Sequence, residues 1–458
     1  GTSSGNITYN RHVNSLSGGT GWDLIGSPVN GLQISSFVTT NTDGTSPLAT
    51  GNGSGAGDVG EYAIGTYDPS NHTWSNFTSG NVSTTEFTPG KGYQMATDSG
   101  ATMAFTGTID TNATETISVE SFTDASGGRR WNLISNPYPS YITVGPSSTT
   151  DTFLEVNKDV IDGYYTGVYG YDAVADPSTY TILNNLSSAS IAPGQGFFVA
   201  ARSTTAANIT FKEAMQTTTG GDDFINSDIM VHPEVELRLF NNDNLVGKTN
   251  LFFVEGLTLG LDPGYDAGSF TENDPLMTRL IEDDEGHGMA INAMGLDAME
   301  NAVIPLVINQ SAGQEFRINL HTATIPDPNV YLEDVEEGTF TNLYEGDFVY
   351  TPTSDLSGVG RFFLHMTADT MSNEEVSTSM LNAYKEVDVS YITIEGLATQ
   401  TNETNVSLYN IVGRKVLDTT LNNNVNTQTI STVGMATGIY IIELESGNDR
   451  LTKKLIIQ

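Results

Sequence analysis

Six histidines and 55 carboxylates are the side chains in this sequence of 458 residues best suited to acid–base or metal chemistry. There is no cysteine, so disulfides, thiolate metal sites and Cys nucleophiles are excluded. His12, His72, His232, His287, His321 and His365 are scattered, and none forms a His-Glu-x-x-His pair that would hold zinc. Two acidic turns, Asp262-Pro-Gly-Tyr-Asp266 and Glu282-Asp-Asp-Glu285-Gly286, offer the oxygen ligands that hard cations prefer. Neither has EF-hand spacing. Calcium is the cation they would suit, and a solvated turn is the simpler expectation. Glycosidases need a carboxylate pair, but nothing in the sequence selects one pair from so many acids. Gly55-Ala-Gly57-Asp-Val-Gly60 has the letters of a dinucleotide loop without the strand before it or the helix after it. Gly1-Thr-Ser3-Ser-Gly5 has the letters of a nucleophile elbow without a preceding strand. Aromatic rings can stack on sugars, which brings in Trp22, Trp74 and Trp131. Trp22 and Trp131 each precede a Leu-Ile pair and read as core. Trp74 lies in the polar stretch Asn71-His72-Thr73-Trp74-Ser75 and is the candidate ligand contact. The expectation is no catalytic residue and no organic cofactor.

Composition narrows the partners. Net charge is −37, a field that makes nucleic acid a poor partner. The charge is uneven. From Lys385 onward there are six basic and eight acidic residues, so the tail carries −2 and the preceding chain −35. Abundant Gly, Thr, Ser and Asn favour strands and turns over helices. No apolar run is long enough to span a membrane. No signal peptide opens the sequence, so Gly1 reads as a processed end or the start of a fragment.

The elements come into view through a duplication. Ser17-Gly-Gly-Thr-Gly-Trp22-Asp-Leu-Ile25-Gly26-Ser-Pro28 is answered by Ser126-Gly-Gly-Arg-Arg-Trp131-Asn-Leu-Ile134-Ser135-Asn-Pro137, 109 residues on. Thr88-Pro-Gly90-Lys-Gly92-Tyr93-Gln-Met95 is answered by Ala192-Pro-Gly194-Gln-Gly196-Phe197-Phe-Val199, 104 residues on. Two motifs repeated in one order mark two copies of a β-domain. Each motif reads as a Gly turn that feeds a strand. The expected organisation is copy 1 over 1–112, copy 2 over 113–216, a linker over 217–227, a β-sandwich over 228–367, a linker over 368–384 and a terminal domain over 385–458. The fold class is all-β: several consecutive β-sandwich domains ending in a small Ig-like sandwich. In the third domain Val235–Phe240 alternates cleanly, and Lys248–Glu255, Ala302–Ile308, Gln314–Leu320, Val330–Asp334, Tyr344–Tyr350 and Arg361–Met366 read as strands.

The terminal stretch carries the most specific pattern. Tyr409-Asn-Ile-Val-Gly413-Arg414-Lys415 is a strand, a turn and a second strand; Gly438-Ile-Tyr440 opens a third; Lys453-Lys454-Leu455-Ile-Ile closes the chain on a fourth. These residues resemble the type A C-terminal sorting domain of type IX secretion system cargo from Bacteroidetes. Leu261-Asp-Pro-Gly-Tyr265-Asp266-Ala267, Val330-Tyr-Leu-Glu-Asp334, Gly338-Thr-Phe340 and Gly360-Arg361-Phe-Phe-Leu364 resemble modules found in such cargo. Asp369-Thr370-Met371 has the letters of a Bacteroidetes O-glycosylation sequon, for which chance is a sufficient explanation.

The resemblance implies export across the outer membrane to the cell surface or beyond. It implies engagement with the type IX translocon and its shuttle β-barrel. The sorting residues would be Gly413, Arg414, Lys415, Gly438, Tyr440, Lys453, Lys454 and Leu455, with Lys453 and Lys454 as the charged contacts. The body is then expected to be a non-enzymatic adhesive or structural protein, such as a cell-surface or gliding adhesin, with surface glycans as candidate ligands. The alternative is a carbohydrate-binding accessory region of a secreted polysaccharide-degrading enzyme.

Overall fold

The two copies have the same strand order. In a computed structural model, Asp23–Ile25, Tyr93–Met95, Glu61–Asp68 and Thr73–Thr78 form one four-stranded sheet in that order. Trp131–Ser135, Gly196–Ala200, Val168–Tyr171 and Tyr180–Leu183 form its counterpart. Each copy adds a two-stranded ribbon, Asn6–Val13 with Ala101–Thr108 and Thr114–Val119 with Ala207–Lys212. Each adds a short helix, Ile34–Asn41 or Phe153–Asn157, that ends on a buried Asn. Asn41 Oδ1 accepts the amide hydrogen of Ala104, and Asn157 Oδ1 that of Thr210, so each helix is tied to the second strand of its copy's ribbon. Beside these bonds the ring pairs Phe37–Phe105 and Phe153–Phe211 repeat as well. The structure describes residues 5–457 except 16–20, 42–60, 81, 83–84, 123–129, 147–150, 172–179, 219, 221–225, 230–231, 272, 326–328, 368–380, 386–388, 411–413, 437 and 448. The glycine runs at 1–5 and 55–60 therefore fall almost wholly outside the described residues, as does the sequon at 369–371.

The third unit is a sheet of eleven strands closed over one core that includes Val235, Leu251, Phe253, Ile304, Phe316 and Leu364. Asn244–Phe253 pairs with Glu234–Asn241 on one side, and runs parallel to Met289–Met294 on the other. The tail is a sandwich of three strands (Asn382–Tyr384, Tyr391–Glu395, Gln428–Ser431) on four (Lys415–Leu421, Thr404–Asn410, Gly438–Ser446, Asp449–Ile457). Its own core includes Ile392, Ile394, Val406, Leu408, Ile442 and Leu444. The chain is all-β, with several sheets and a terminal sandwich.

Both expected linkers need correction. Gln216–Thr217 pairs with Tyr141–Thr143, and Asn226–Ile229 pairs with Ser187–Ile191, so the ends of the 217–227 stretch extend a sheet of copy 2. Polar, Gly-containing composition hid strands whose ladder partners lie far away in sequence. Likewise Asn382–Tyr384 pairs with Tyr391–Glu395, and Leu381 is buried in the tail core. The terminal sandwich thus begins before 385.

Candidate functional site

Among the described residues, all three units of the body meet at a junction. One face of the copy 2 sheet presents Trp131, Leu133, Tyr169 and Phe198, and these share a buried apolar cluster with Leu24 of copy 1 and Phe252, Ala267, Ile291 and Ala293 of the third unit. Polar groups fix the contact. Tyr169 Oη donates to the Gly268 carbonyl at 2.7 Å, Trp131 Nε1 donates to the Phe270 carbonyl at 3.1 Å, and Asn184 Nδ2 donates to the Tyr265 carbonyl at 2.6 Å. Trp131 is 5% exposed, a core residue as its sequence position implied. Trp22 is half-buried against Ala63 and Ala96.

An aromatic chain runs from this junction to the surface. Phe270 stacks on Tyr180 with centroids 3.9 Å apart, and Phe198 meets Tyr180 and Tyr67 edge to face. Tyr67 packs against Trp74 at 5.1 Å. Trp74 ends the chain at 40% exposure. Its strand, Thr73–Thr78, is the edge of the copy 1 sheet. Beside it Tyr67 Oη lies 2.6 Å from His72 Nδ1. Burial first, and the charge of Asp68 second, push the Tyr67 phenol up to about 12. The turn 69–72 is polar, with Asp68 accepting from the Ser70 amide and hydroxyl. The patch is therefore one exposed indole, an aromatic floor and a rim of uncharged donors and acceptors around one carboxylate. Such a surface can stack on a flat apolar face and hydrogen-bond to hydroxyls around it.

Three of the carboxylates proposed from sequence as cation ligands, Asp262, Asp266 and Asp284, bond within the protein. Asp266 is fully buried, and accepts amide hydrogens from Asp262 at 2.6 Å and Ala293 at 2.7 Å. Burial outweighs these bonds and raises its carboxyl to about 7. Asp262 accepts from the amide and hydroxyl of Thr258. Asp284 pairs with Arg279 at 2.9 Å, and 282–285 are exposed. His365 is buried with Nε2 2.7 Å from Glu333, and His287 packs beside Tyr164 and Tyr165. Among the described residues no three His, Asp or Glu side chains converge as metal ligands.

In the tail, several residues of the sorting pattern serve the fold. Tyr440 and Leu455 are core residues, and Tyr440 Oη donates to the Ala436 carbonyl at 2.8 Å. Lys453 Nζ donates to Asn382 across the two sheets, and burial lowers its pKa. Lys453, expected from sequence to be a charged contact, thus ties the two sheets together; alternation on the last strand turns it and Leu455 toward the opposite sheet. Gly438 opens its strand, with no atom close to where a Cβ would stand. Arg414 and Lys415 are exposed. Arg414 donates its amide to Asn410 Oδ1, and the Lys415 ammonium lies 5.5 Å from the Tyr409 ring centroid. Gly413 and the Lys454 side chain lie outside the described residues.

Residues 2–366 match a family described as a domain of unknown function, DUF8693. The chain belongs to this family. The matched span takes in both copies and the third unit together, the same residues that share the junction core. Residues 387–458 match the secretion system C-terminal sorting domain. The protein is therefore a cargo of the type IX system, exported across the outer membrane to the cell surface or the extracellular space, and its tail implies contact with that machinery. No curated protein matches the chain. No helix among the described residues is long and apolar enough to cross a membrane.

Proposed function

We propose that the body of this exported protein is a non-enzymatic adhesive or structural module, and that it contacts neutral surface glycans through the Trp74 patch. The observation that carries the reading is the exposed indole of Trp74 at the end of an aromatic chain rooted in the three-unit junction. A rooted platform binds with little loss of side-chain freedom, which favours affinity from a small area. The net charge of −35 outside the tail disfavours polyanions and leaves neutral sugars as the fitting class.

The test is binding of the full chain to arrayed and immobilised neutral polysaccharides, with a reducing-sugar assay alongside. Retention that is lost in Trp74→Ala supports the reading. Release of reducing ends would instead favour the accessory region of a polysaccharide-degrading enzyme. Equal binding by Trp74→Ala and the parent would remove the patch from consideration.

A further inference from the structure

A sorting domain must be read from outside, yet Tyr440, Leu455 and Lys453 of the pattern are engaged within the sandwich. One surface that a partner can reach near the pattern is the outer face of the four-stranded sheet. Alternation sends Val406, Leu408, Tyr440, Ile442 and Leu444 into the core. The residues between them face out, and Tyr409 pairs directly with Ile441 across the ladder. Ile441 is 41% exposed. Lys415 pairs with Tyr409 from the other side, and the register irregularity there leaves Val416 as an extra residue, 39% exposed. Arg414 stands at the hairpin end of the same strand. Further along this face, Ser407 pairs with Glu443 and Asp418, and Asn405 with Glu445. One half is thus apolar with Arg414 and Lys415 at its rim, and the other is polar and carries carboxylates; the Lys415 ammonium meets Asp418 at 3.3 Å where the two halves join.

Two observations mark the tail as a docking surface, and Val416 and Ile441 place its exposed apolar side chains on this face in the first half. Among the described residues, five of the ten exposed large hydrophobic side chains lie in the tail: Tyr391, Val416, Val425, Val433 and Ile441. The tail match spans only 72 of 458 residues, so apolar surface is concentrated where a partner must bind. The tail is also close to neutral, whereas the rest carries −35. A partner with carboxylates at its rim would be repelled by the body and met favourably by Arg414 and Lys415.

We propose that the Tyr409–Ile441 ridge, with Val416, Arg414 and Lys415, is the surface by which a protein component of the export machinery docks the folded tail. The fitting partner site is an apolar cleft with carboxylates at its rim. The proposal rests on the sorting role of the tail and specifies which face carries it.

The test expresses the full chain in an export-competent host and measures the extracellular and periplasmic fractions. Ile441→Glu and the charge reversal Arg414→Glu/Lys415→Glu are expected to lower the extracellular fraction about tenfold or more, as loss of a central contact does. The retained protein should stay protease-resistant and unfold within a few degrees of the parent. Glu445→Lys, on the acidic half, should be exported normally. If Ile441→Glu does not fold, Ile441→Thr replaces it, keeping the β-branched shape at an exposed position. Normal export of a folded ridge variant, while deletion of 387–458 blocks export, overturns the proposal and leaves the sorting role standing. Export of the deletion itself would overturn the sorting role instead. A dimer of the purified chain that is abolished by Ile441→Glu without any change in export would assign the ridge to self-association and also overturn the proposal.

Discussion

Gly26 donates its amide hydrogen to the Gly194 carbonyl at 2.8 Å, from the first motif of copy 1 to the second motif of copy 2. The reciprocal bond is present too: Ser135 donates to Gly90, also at 2.8 Å. Ser135 is the counterpart of Gly26, and Gly90 that of Gly194. The repeat therefore builds an isologous interface inside one chain, with the symmetry of a two-fold dimer. The bridges Ile25–Gln195 and Lys91–Ile134 continue it. This explains why the motifs are rich in glycine. A Cβ on Gly92 would stand 2.5 Å from Leu133 Cγ and 2.8 Å from the Ile134 carbonyl oxygen. One on Gly196 would stand 2.6 Å from the Leu24 carbonyl carbon.

Alanine at Gly92 or Gly196 should therefore be costly. The clashing atoms include backbone, so relief requires the copies to separate. Each single substitution is expected to lower stability by about 1–3 kcal/mol or more. The double variant should lose less than the sum, because one separation relieves both clashes. Denaturant unfolding of the parent, the two singles and the double checks this. Strict additivity would mean that the two contacts yield independently.

Asp266 gives a pH dependence with a definite sign. Its carboxyl is raised to about 7 in the folded protein, mainly by burial. Between pH 4 and 7 the folded state holds a proton that the unfolded chain has released, so stability falls as pH rises through this window. The loss is fully developed above pH 7 and amounts to roughly 4 kcal/mol at most, because each tenfold difference in proton affinity between the folded and unfolded chain is worth about 1.4 kcal/mol. Asp266→Asn cannot ionise and should lack this fall. It also gives up one of two acceptor oxygens, so its stability at low pH should lie below the parent's. Unfolding free energies for both proteins at several pH values provide the check.

These interfaces show what the sequence could and could not reveal. Alternation exposed Val235–Phe240 and the run that follows Gly438 as strands because one face of each is solvated. Met289–Met294 (Met-Ala-Ile-Asn-Ala-Met) gave no such signal. It is almost wholly buried, has low strand propensity and pairs in parallel with a distant strand. The glycine turns were legible as turns, but the partner each one touches lies in the other copy. Trp74 could be picked out because its neighbours are polar. Its supporting ring, Phe198, lies more than a hundred residues away, and only the fold brings them together. In the tail, spacing identified the pattern but could not separate residues that hold the sandwich from those that face out.

The two tryptophans at opposite ends of the aromatic chain should behave oppositely. Trp131 is buried between copy 2 and the third unit, stacks on Phe270 at 4.3 Å and donates to its carbonyl. Trp131→Ala is expected to cost about 3–5 kcal/mol and to loosen the contact between those units. Trp74→Ala removes an exposed ring and should change stability by no more than about 1 kcal/mol. Thermal unfolding with limited proteolysis distinguishes the two. A large loss in Trp74→Ala would show that the ring is structural and would weaken its assignment as a ligand platform.

Lys453 offers the sharpest test of what the tail's basic residues do. Its ammonium is half-buried, tied to Asn382 in the opposite sheet, and destabilised as a charge by desolvation. Methionine keeps the apolar stem that packs between the sheets and removes the charge that burial disfavours. Lys453→Met should therefore leave the tail within about 1 kcal/mol of the parent at neutral pH, the lost hydrogen bond being offset by the relieved desolvation. It should also be exported normally, since the side chain is turned toward Asn382. Lys453→Glu places an opposite charge in the same half-buried position near Glu395 and should unfold the tail at lower denaturant. Denaturant titration of both variants, with extracellular fractions measured in the same cells, decides the matter. A stable, folded Lys453→Met that is retained in the periplasm would make this lysine a direct contact of the machinery after all.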